Sequence, residues 1–370
     1  LKTRVTYIVS NVNKALAFEW IVRFIDKEQF ELHFILMNPG DSDLEKFLRD
    51  NGIKTDRVVY NGKKDIFRSI IRISRLLREN KSTVVHTHLF DANIAGLTAA
   101  KLAGIKKRIH TRHHSSYHHL YHPQAIRYDR YINRLSTDII AISGVVKDLL
   151  IEKEQVPEKK IHLIHHGFLL EEFEEAGKKE NPLAAKYNPG NAHPVIGVIS
   201  RFTEWKGIQY IIPAFRQLLV TYPDALLIMA NAKGEYENEL RKLLSGIPEK
   251  NYLMIPFENQ VAQLYRLFDV FVHVPVTPDV EAFGQTYVEA LASDIPSVFT
   301  LSGIAHEFIR DGHNAVVVKH QSSEEIHAAM LKILHNSAFA SRLISNGKID
   351  VNNSFGLAKM MLSLELLYHG

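Results

Sequence analysis

Short apolar, β-branched runs alternate with amphipathic helical segments along almost the whole chain, and this alternation leaves little choice of architecture. VTYIV (5–9), ELHFILM (31–37), TDRVVY (55–60), TVVHTH (83–88), KRIHTR (107–112), DIIAIS (138–143) and KIHLIHH (160–166) form a first series. A second series follows a break: VIGVIS (195–200), ALLIMA (225–230), NYLMI (251–255), VFVHV (270–274), PSVF (296–299) and AVVVK (315–319). Between the runs, apolar residues recur at three- and four-residue spacing, as in DIFRSIIRISRLLREN (65–80), the period of a helix with one buried face. Strands apolar on both faces must be covered on both, and strand–helix–strand order makes them parallel. The chain therefore reads as α/β, with two Rossmann-like, doubly wound domains in tandem.

The break, GFLLEEFEEAGKKENPLAAKYNPGNAHP (167–194), carries an acidic run together with Pro182, Pro189, Gly190 and Pro194. It reads as an interdomain linker, which gives a first domain over 1–168, a linker over 169–194 and a second domain over 195–354. The remaining 355–370 has no strand after it and is expected to be a terminal helix that packs back on the first domain. In open α/β sheets ligands bind beyond the carboxyl ends of the strands, so functional residues are expected just after strands, and two such domains face to face would leave a cleft.

Composition narrows the class further. The chain is 46% apolar and 23% charged, as soluble folded proteins are. No apolar run approaches the ~18–20 residues of a membrane span, and LKTRVTYIVS lacks the core of a signal peptide, so a cytoplasmic location is expected. Cysteine is absent, which excludes disulfides, thiolate metal sites and cysteine nucleophiles. The net charge of +4 conceals an asymmetry: residues 1–190 hold 31 Lys+Arg against 23 Asp+Glu, and residues 191–370 hold 14 against 18. The basic half suits an anionic partner such as a charged acceptor or a membrane face, and KLAGIKKR (101–108) suggests reversible attachment to an anionic leaflet. No nucleic acid partner is expected.

Two segments of the second domain carry candidate chemistry. In VIGVISRFTEWKGIQYII (195–212) a strand delivers Arg201, and Lys206–Gly207 opens a helix, so a guanidinium fork and a point charge flank one turn and could neutralise a diphosphate. In PVTPDVEAFGQTYVEALASDIPSV (275–298) Glu281 lies on a loop and a helix opens near Gly284. Unpaired N–H groups at a helix start suit a phosphate, and Glu289 inside that helix suits a vicinal diol such as a ribose. Neither the P-loop spacing nor a G-x-G-x-x-G after the first strand is present, which argues against nucleotide hydrolases and dinucleotide-dependent dehydrogenases.

The pairing of R-F-T-E-W-K-G with E-A-F-G-Q-T-Y-V-E-A about 75 residues later resembles the signature of retaining GT-B glycosyltransferases of family 4. The resemblance extends through VVHTHLFDANIAGLTAAKLAG (84–104), RIHTRHH (108–114), DIIAIS, KIHLIHHGF (160–168) and HEFIRDGHNAVVV (306–318). It implies a GT-B fold, a nucleotide-diphosphate sugar as donor substrate, a UDP-sugar weakly favoured, and a glycan or lipid-linked acceptor. It further implies no metal and no bound cofactor. Arg201 and Lys206 would bind the diphosphate, Glu281 the sugar hydroxyls, Phe283, Gly284 and Gln285 the donor at the helix start, and Glu289 the ribose. His113 would be the catalytic histidine, Phe257 in MIPFEN (254–259) a base contact, and Glu307 a carboxylate before the D-G turn. Because the first loop, SNVNKALAFE (10–19), lacks the paired glycines of many members, Asn13 and Lys14 are the acceptor-side candidates there.

His114 and His118 are further acceptor-side candidates within HHSSYHHLYH (113–122). The i, i+4 pairs of that run could ligate a transition metal, but with no cysteine or evident carboxylate to complete a set, no metal is assigned. The triplet DSD (41–43) reads as a helix cap with first-turn acids and not as a metal-binding D-x-D. Alternatives to a transferase are a nucleotide-sugar 2-epimerase of the same fold and a noncatalytic nucleotide-sugar-binding protein.

Overall fold

The computed structural model describes residues 2–178 and 180–369. The first sheet contains β1 (Thr3–Ser10), β2 (Phe30–Asn38), β3 (Lys54–Val59), β4 (Val84–His88), β5 (Lys107–Arg112), β6 (Asp138–Ala141) and β7 (Ile161–Leu163), in the order β3-β2-β1-β4-β5-β6-β7. The second contains β8 (Val195–Ile199), β9 (Leu226–Ala230), β10 (Tyr252–Ile255), β11 (Val270–His273), β12 (Ser297–Phe299) and β13 (Val316–Val317), in the order β10-β9-β8-β11-β12-β13. Every pairing in both sheets is parallel. Each sheet reverses its winding beside its first strand, at β1/β4 and at β8/β11, the switch point at which Rossmann-like domains take their ligands. The apolar runs named above become these strands because their residues are covered on both faces: Val5, Tyr7 and Ile8 in β1, and Val270, Phe271 and Val272 in β11, are wholly buried.

The chain divides into two compact units, one ending at Phe168 and resuming at Leu357, the other running from Leu169 to Gly356. In the first, Ile8, Ile35, Val85 and the helices Ile66–Glu79 and Phe90–Leu102 share one core. The helix Leu357–His369 joins this unit, where Leu357 N–H donates to Phe168 O (3.0 Å) and Glu365 accepts from Asp26 N–H (2.9 Å). Residues 169–194 differ from the linker reading, for they belong to the second unit and contain the helices Glu171–Gly177 and Pro182–Tyr187. The acidic run supplies Glu171, Glu172 and Glu174 to one first turn, where negative charge is favoured by the helix dipole. Arg266 donates to Ala176 O (2.6 Å) and Asn181 to Gln263 O (2.9 Å), tying both helices to the second unit. Lys179 of this segment lies outside the described residues.

Candidate active site

At the carboxyl edge of the second sheet, the strand-to-helix turn after β8 places Lys206 at the end of a 3-10 turn, with Gly207 opening the helix Ile208–Thr221. Gly207 has φ +77°, and a Cβ there would sit 1.9 Å from Val274 O, so the turn after β8 can lie against the end of β11 only with glycine. This close approach lets the Lys206 ammonium pair with the Glu281 carboxylate. His273, the last residue of β11, adds its Nε2 at 3.1 Å from the same oxygen. An ionised carboxylate only accepts, so His273 Nε2–H donates. Burial by itself raises the Glu281 carboxyl; the Lys206 charge and the His273 hydrogen bond outweigh it and hold the group at about 2. Glu281 N–H is received by Ser302 Oγ (3.2 Å), which fixes the loop after β11 to the loop after β12. Glu281 is thus ionised, buried and held by three groups, while Arg201, two residues beyond β8, is exposed and forms no ion pair among the described residues.

The helix Gln285–Ala292 starts from Gly284, whose φ of +86° turns the chain sharply after the buried Phe283. Gly303 packs under this turn, where a Cβ would lie 2.7 Å from Phe283 O. Glu289, one turn into the helix and half-buried, accepts a hydrogen bond from Tyr265 (3.0 Å). Burial pushes its carboxyl up to about 7, only partly offset by the tyrosine. Phe257 lies after β10 and is 67% exposed, an unshielded aromatic face at the same sheet edge. Glu307 sits on the short helix Ala305–Phe308. Arg201, Lys206, Glu281, Phe283, Gly284, Gln285 and Glu289 therefore all lie on turns or helix starts beyond strands of one sheet. His273, Ser302 and Tyr265 were missed by the sequence reading; His273 in particular looks like any residue of an apolar strand.

In the first unit, histidines gather beyond β4, β5 and β7. His113 Nε2 lies 3.0 Å from His88 Nδ1, and its ring stacks on His166 at 5.9 Å between centroids. Among the described residues His88 Nε2 is buried without a partner, and a bare lone pair costs less there than a bare N–H, so His88 Nδ1–H donates and His113 Nε2 accepts. Burial, then the neighbouring His114, lowers His113 to about 4 and keeps it neutral at pH 7. His114 leaves this group, its Nε2 lying 3.2 Å from Asp129, whose other oxygen is 2.7 Å from His118 Nδ1. Arg112 joins the same carboxylate (3.1 Å) and Glu154 (2.5 Å), and Glu154 also accepts from Asn133 (2.6 Å). The expectation that no carboxylate completes the histidine run is corrected here: Asp129 comes from the helix Ile126–Leu135, and His114, His118 and Asp129 bring three potential ligand atoms within 4.8 Å of one another.

The loop candidates of the first unit fare differently. Asn13 exchanges two hydrogen bonds with Asp43, through Nδ2 (3.1 Å) and Oδ1 (3.2 Å), so its amide serves the start of the helix Asp43–Asp50. Ser42 caps that helix by accepting from Glu45 N–H (3.2 Å), the role read for the DSD triplet. Lys14 is exposed on the same loop. A cavity of about 690 Å³ lies beside Lys107 and Asp138 at the starts of β5 and β6, against β7 and the helix Leu357–His369. No helix among the described residues is long and apolar enough to cross a membrane.

With this geometry in view, the similarities of the chain are informative. Residues 180–350 match the family model for glycosyl transferases group 1, and residues 21–172 match that for glycosyltransferase family 4. The capsular polysaccharide biosynthesis glycosyltransferase CapM of Staphylococcus aureus is 24% identical over 363 residues, covering 94% of this chain and 92% of CapM. An uncharacterized glycosyltransferase of Methanocaldococcus jannaschii is 24% identical over 297 residues, 77% of this chain and 74% of its own. Among solved structures, Anabaena HepE in complex with UDP and glucose superposes with a TM-score of 0.83 at 17% identity, covering 99% of both chains. Both halves of the sequence and the two Rossmann-like sheets lead to one assignment: the chain belongs to the group 1, family 4 glycosyltransferases of GT-B fold.

Proposed function

We propose that this glycosyltransferase moves a sugar from a nucleoside-diphosphate sugar to a glycan or lipid-linked acceptor, with retention of anomeric configuration and without a metal. The observation that carries the reading is the ionised, buried Glu281, held by Lys206 and His273 at the carboxyl edge of the second sheet. Breaking the sugar–phosphate bond leaves positive charge on the sugar and negative charge on the departing diphosphate. Arg201 offers a two-pronged fork to that diphosphate, Lys206 a point charge, and the start of the helix Gln285–Ala292 its N–H groups. Glu281 accepts from sugar hydroxyls, and Glu289, ionised above about pH 7, accepts from the ribose diol. His113, neutral, serves the acceptor side. Solved structures of HepE hold UDP with glucose and UDP-glucose, which supports a UDP-sugar as donor. One relative is named as acting on a diphosphoundecaprenol-linked sugar and another works in capsular polysaccharide biosynthesis, which supports polysaccharide assembly at the inner face of a membrane.

Thermal-shift titration with UDP, GDP and ADP, alongside donor turnover of variants, tests this reading. UDP is expected to raise the melting temperature most. Lys206→Ala is expected to lower turnover on the order of 10²–10³-fold, the cost of removing one stabilising donor from a developing anion. Glu281→Gln should retain UDP binding and lose turnover. Unchanged turnover in both variants would remove the proposed site.

A further inference from the structure

The helix Ile66–Glu79 is buried on one side only. Ile73, Leu76 and Leu77 enter the core of the first unit, whereas Phe67, Arg68, Ile71, Arg72, Arg75 and Arg78 face outward. Phe67 is 74% and Ile71 50% exposed, one helical turn apart, and each would ordinarily be covered in a helix of this kind. Lys63 and Lys64, also exposed, precede the helix, so residues 63–79 hold six cations against Asp65 and Glu79. Among the described residues none of the six forms an ion pair; Arg78 donates to Leu102 O (2.5 Å), and the other five make no side-chain hydrogen bond. Asp65 is occupied in accepting from Asn61 N–H (2.8 Å). At 100° per residue the outward side chains span about 140° of the helix and, at 1.5 Å per residue, about 17 Å of its length. The run KLAGIKKR, read as basic in the sequence, is a weaker candidate, for Arg108 is spent on the carbonyls of Leu135 (2.8 Å) and Ile105 (2.6 Å).

We infer that the outer face of the helix Ile66–Glu79, with Lys63 and Lys64, is the surface by which this enzyme docks on an anionic lipid bilayer. Unpaired cations supply attraction to lipid phosphates, and a soluble polyanion would be served by them alone. Two exposed apolar side chains one turn apart add what only a bilayer rewards, insertion into the headgroup boundary. The helix begins beyond β3, at the carboxyl edge of the sheet whose other strand ends carry His88 and His113. The inference rests on the membrane location in the proposed function and is independent of its transfer chemistry.

Co-sedimentation of the full chain with vesicles of phosphatidylcholine alone, and of phosphatidylcholine with phosphatidylglycerol, tests it. Binding is expected only to the anionic vesicles and is expected to weaken as salt rises. Arg68→Glu/Arg72→Glu/Arg75→Glu should weaken partitioning on the order of a hundredfold or more. Phe67→Ser/Ile71→Ser should lose vesicle binding while keeping retention on a heparin column. Both variants touch only outward side chains, so circular dichroism and donor turnover on a soluble acceptor should match the parent, and a loss of turnover in the parent would count against the transfer reading and not this one. The inference is overturned if the parent ignores anionic vesicles, if either variant binds them as the parent does, or if the apolar variant instead converts a dimer to a monomer with vesicle binding intact.

Discussion

Glu281 and Glu289 stand eight positions apart and behave as opposites. Glu281 is buried beside a cation and stays ionised, while Glu289, half-buried beside a tyrosine, is raised to about 7. If Glu289 receives the ribose, donor KM should rise as pH falls from 8 to 6, and Glu289→Gln should flatten that dependence. Tyr265→Phe removes a hydrogen bond to the ionised form and should move the inflection to higher pH, measured as KM against pH. The same shift has a stability side. The folded state holds a proton that the unfolded chain releases, so this contribution is full below the ordinary glutamate range and is lost as pH rises through about 7. Arg201, Lys206, Glu281 and Glu289 were legible because strand-to-helix turns display charged side chains at fixed offsets. His273 was not, since nothing in VFVHV distinguishes a histidine that orients a carboxylate from one that merely fills a strand.

At the scale of elements, the site depends on turns that only glycine allows and on buried charge that only distant helices can balance. Gly207→Ala would set a Cβ against Val274 O in a left-handed conformation and should cost about 3 kcal/mol or more by chemical denaturation, with loss of the Lys206–Glu281 pair. Asp129 and Arg112 are both buried, and Asp129→Ala should cost about 3–5 kcal/mol by leaving the guanidinium partly uncompensated. Burial raises the Asp129 carboxyl, but His114, His118 and Arg112 reverse this and hold it well below its usual range. Its contribution is therefore present above the ordinary aspartate range and lost on acidification, which the Asp129→Ala variant should not show. The strands were legible because double-sided burial writes continuous apolar runs. The helices Glu171–Gly177 and Pro182–Tyr187 were read as linker because each is too short for its period to register against the surrounding prolines and charges.

Over the whole molecule, the chain returns at its end to the unit in which it began. Tyr368 Oη meets Tyr7 Oη and lies 2.7 Å from His86 Nδ1, while His86 Nε2 reaches Thr111 (2.8 Å), so one buried chain of polar groups ties β1, β4 and β5 to the final helix. Tyr368→Phe keeps the ring and removes the hydroxyl, leaving two buried polar groups short of a partner; it should cost about 1–3 kcal/mol, read by thermal or urea unfolding. The sequence by itself determined the two parallel sheets, the order of their strands along the chain and the family, since periodicity and locally spaced motifs are short-range properties. Only the tertiary structure decided which groups hold Glu281, which carboxylates meet the histidine run, and that Arg68, Arg72 and Arg75 of the helix Ile66–Glu79 lie without an ion pair among the described residues beside exposed Phe67 and Ile71. Those facts depend on residues far apart in the chain meeting in space, and on which side of a helix its neighbours leave open.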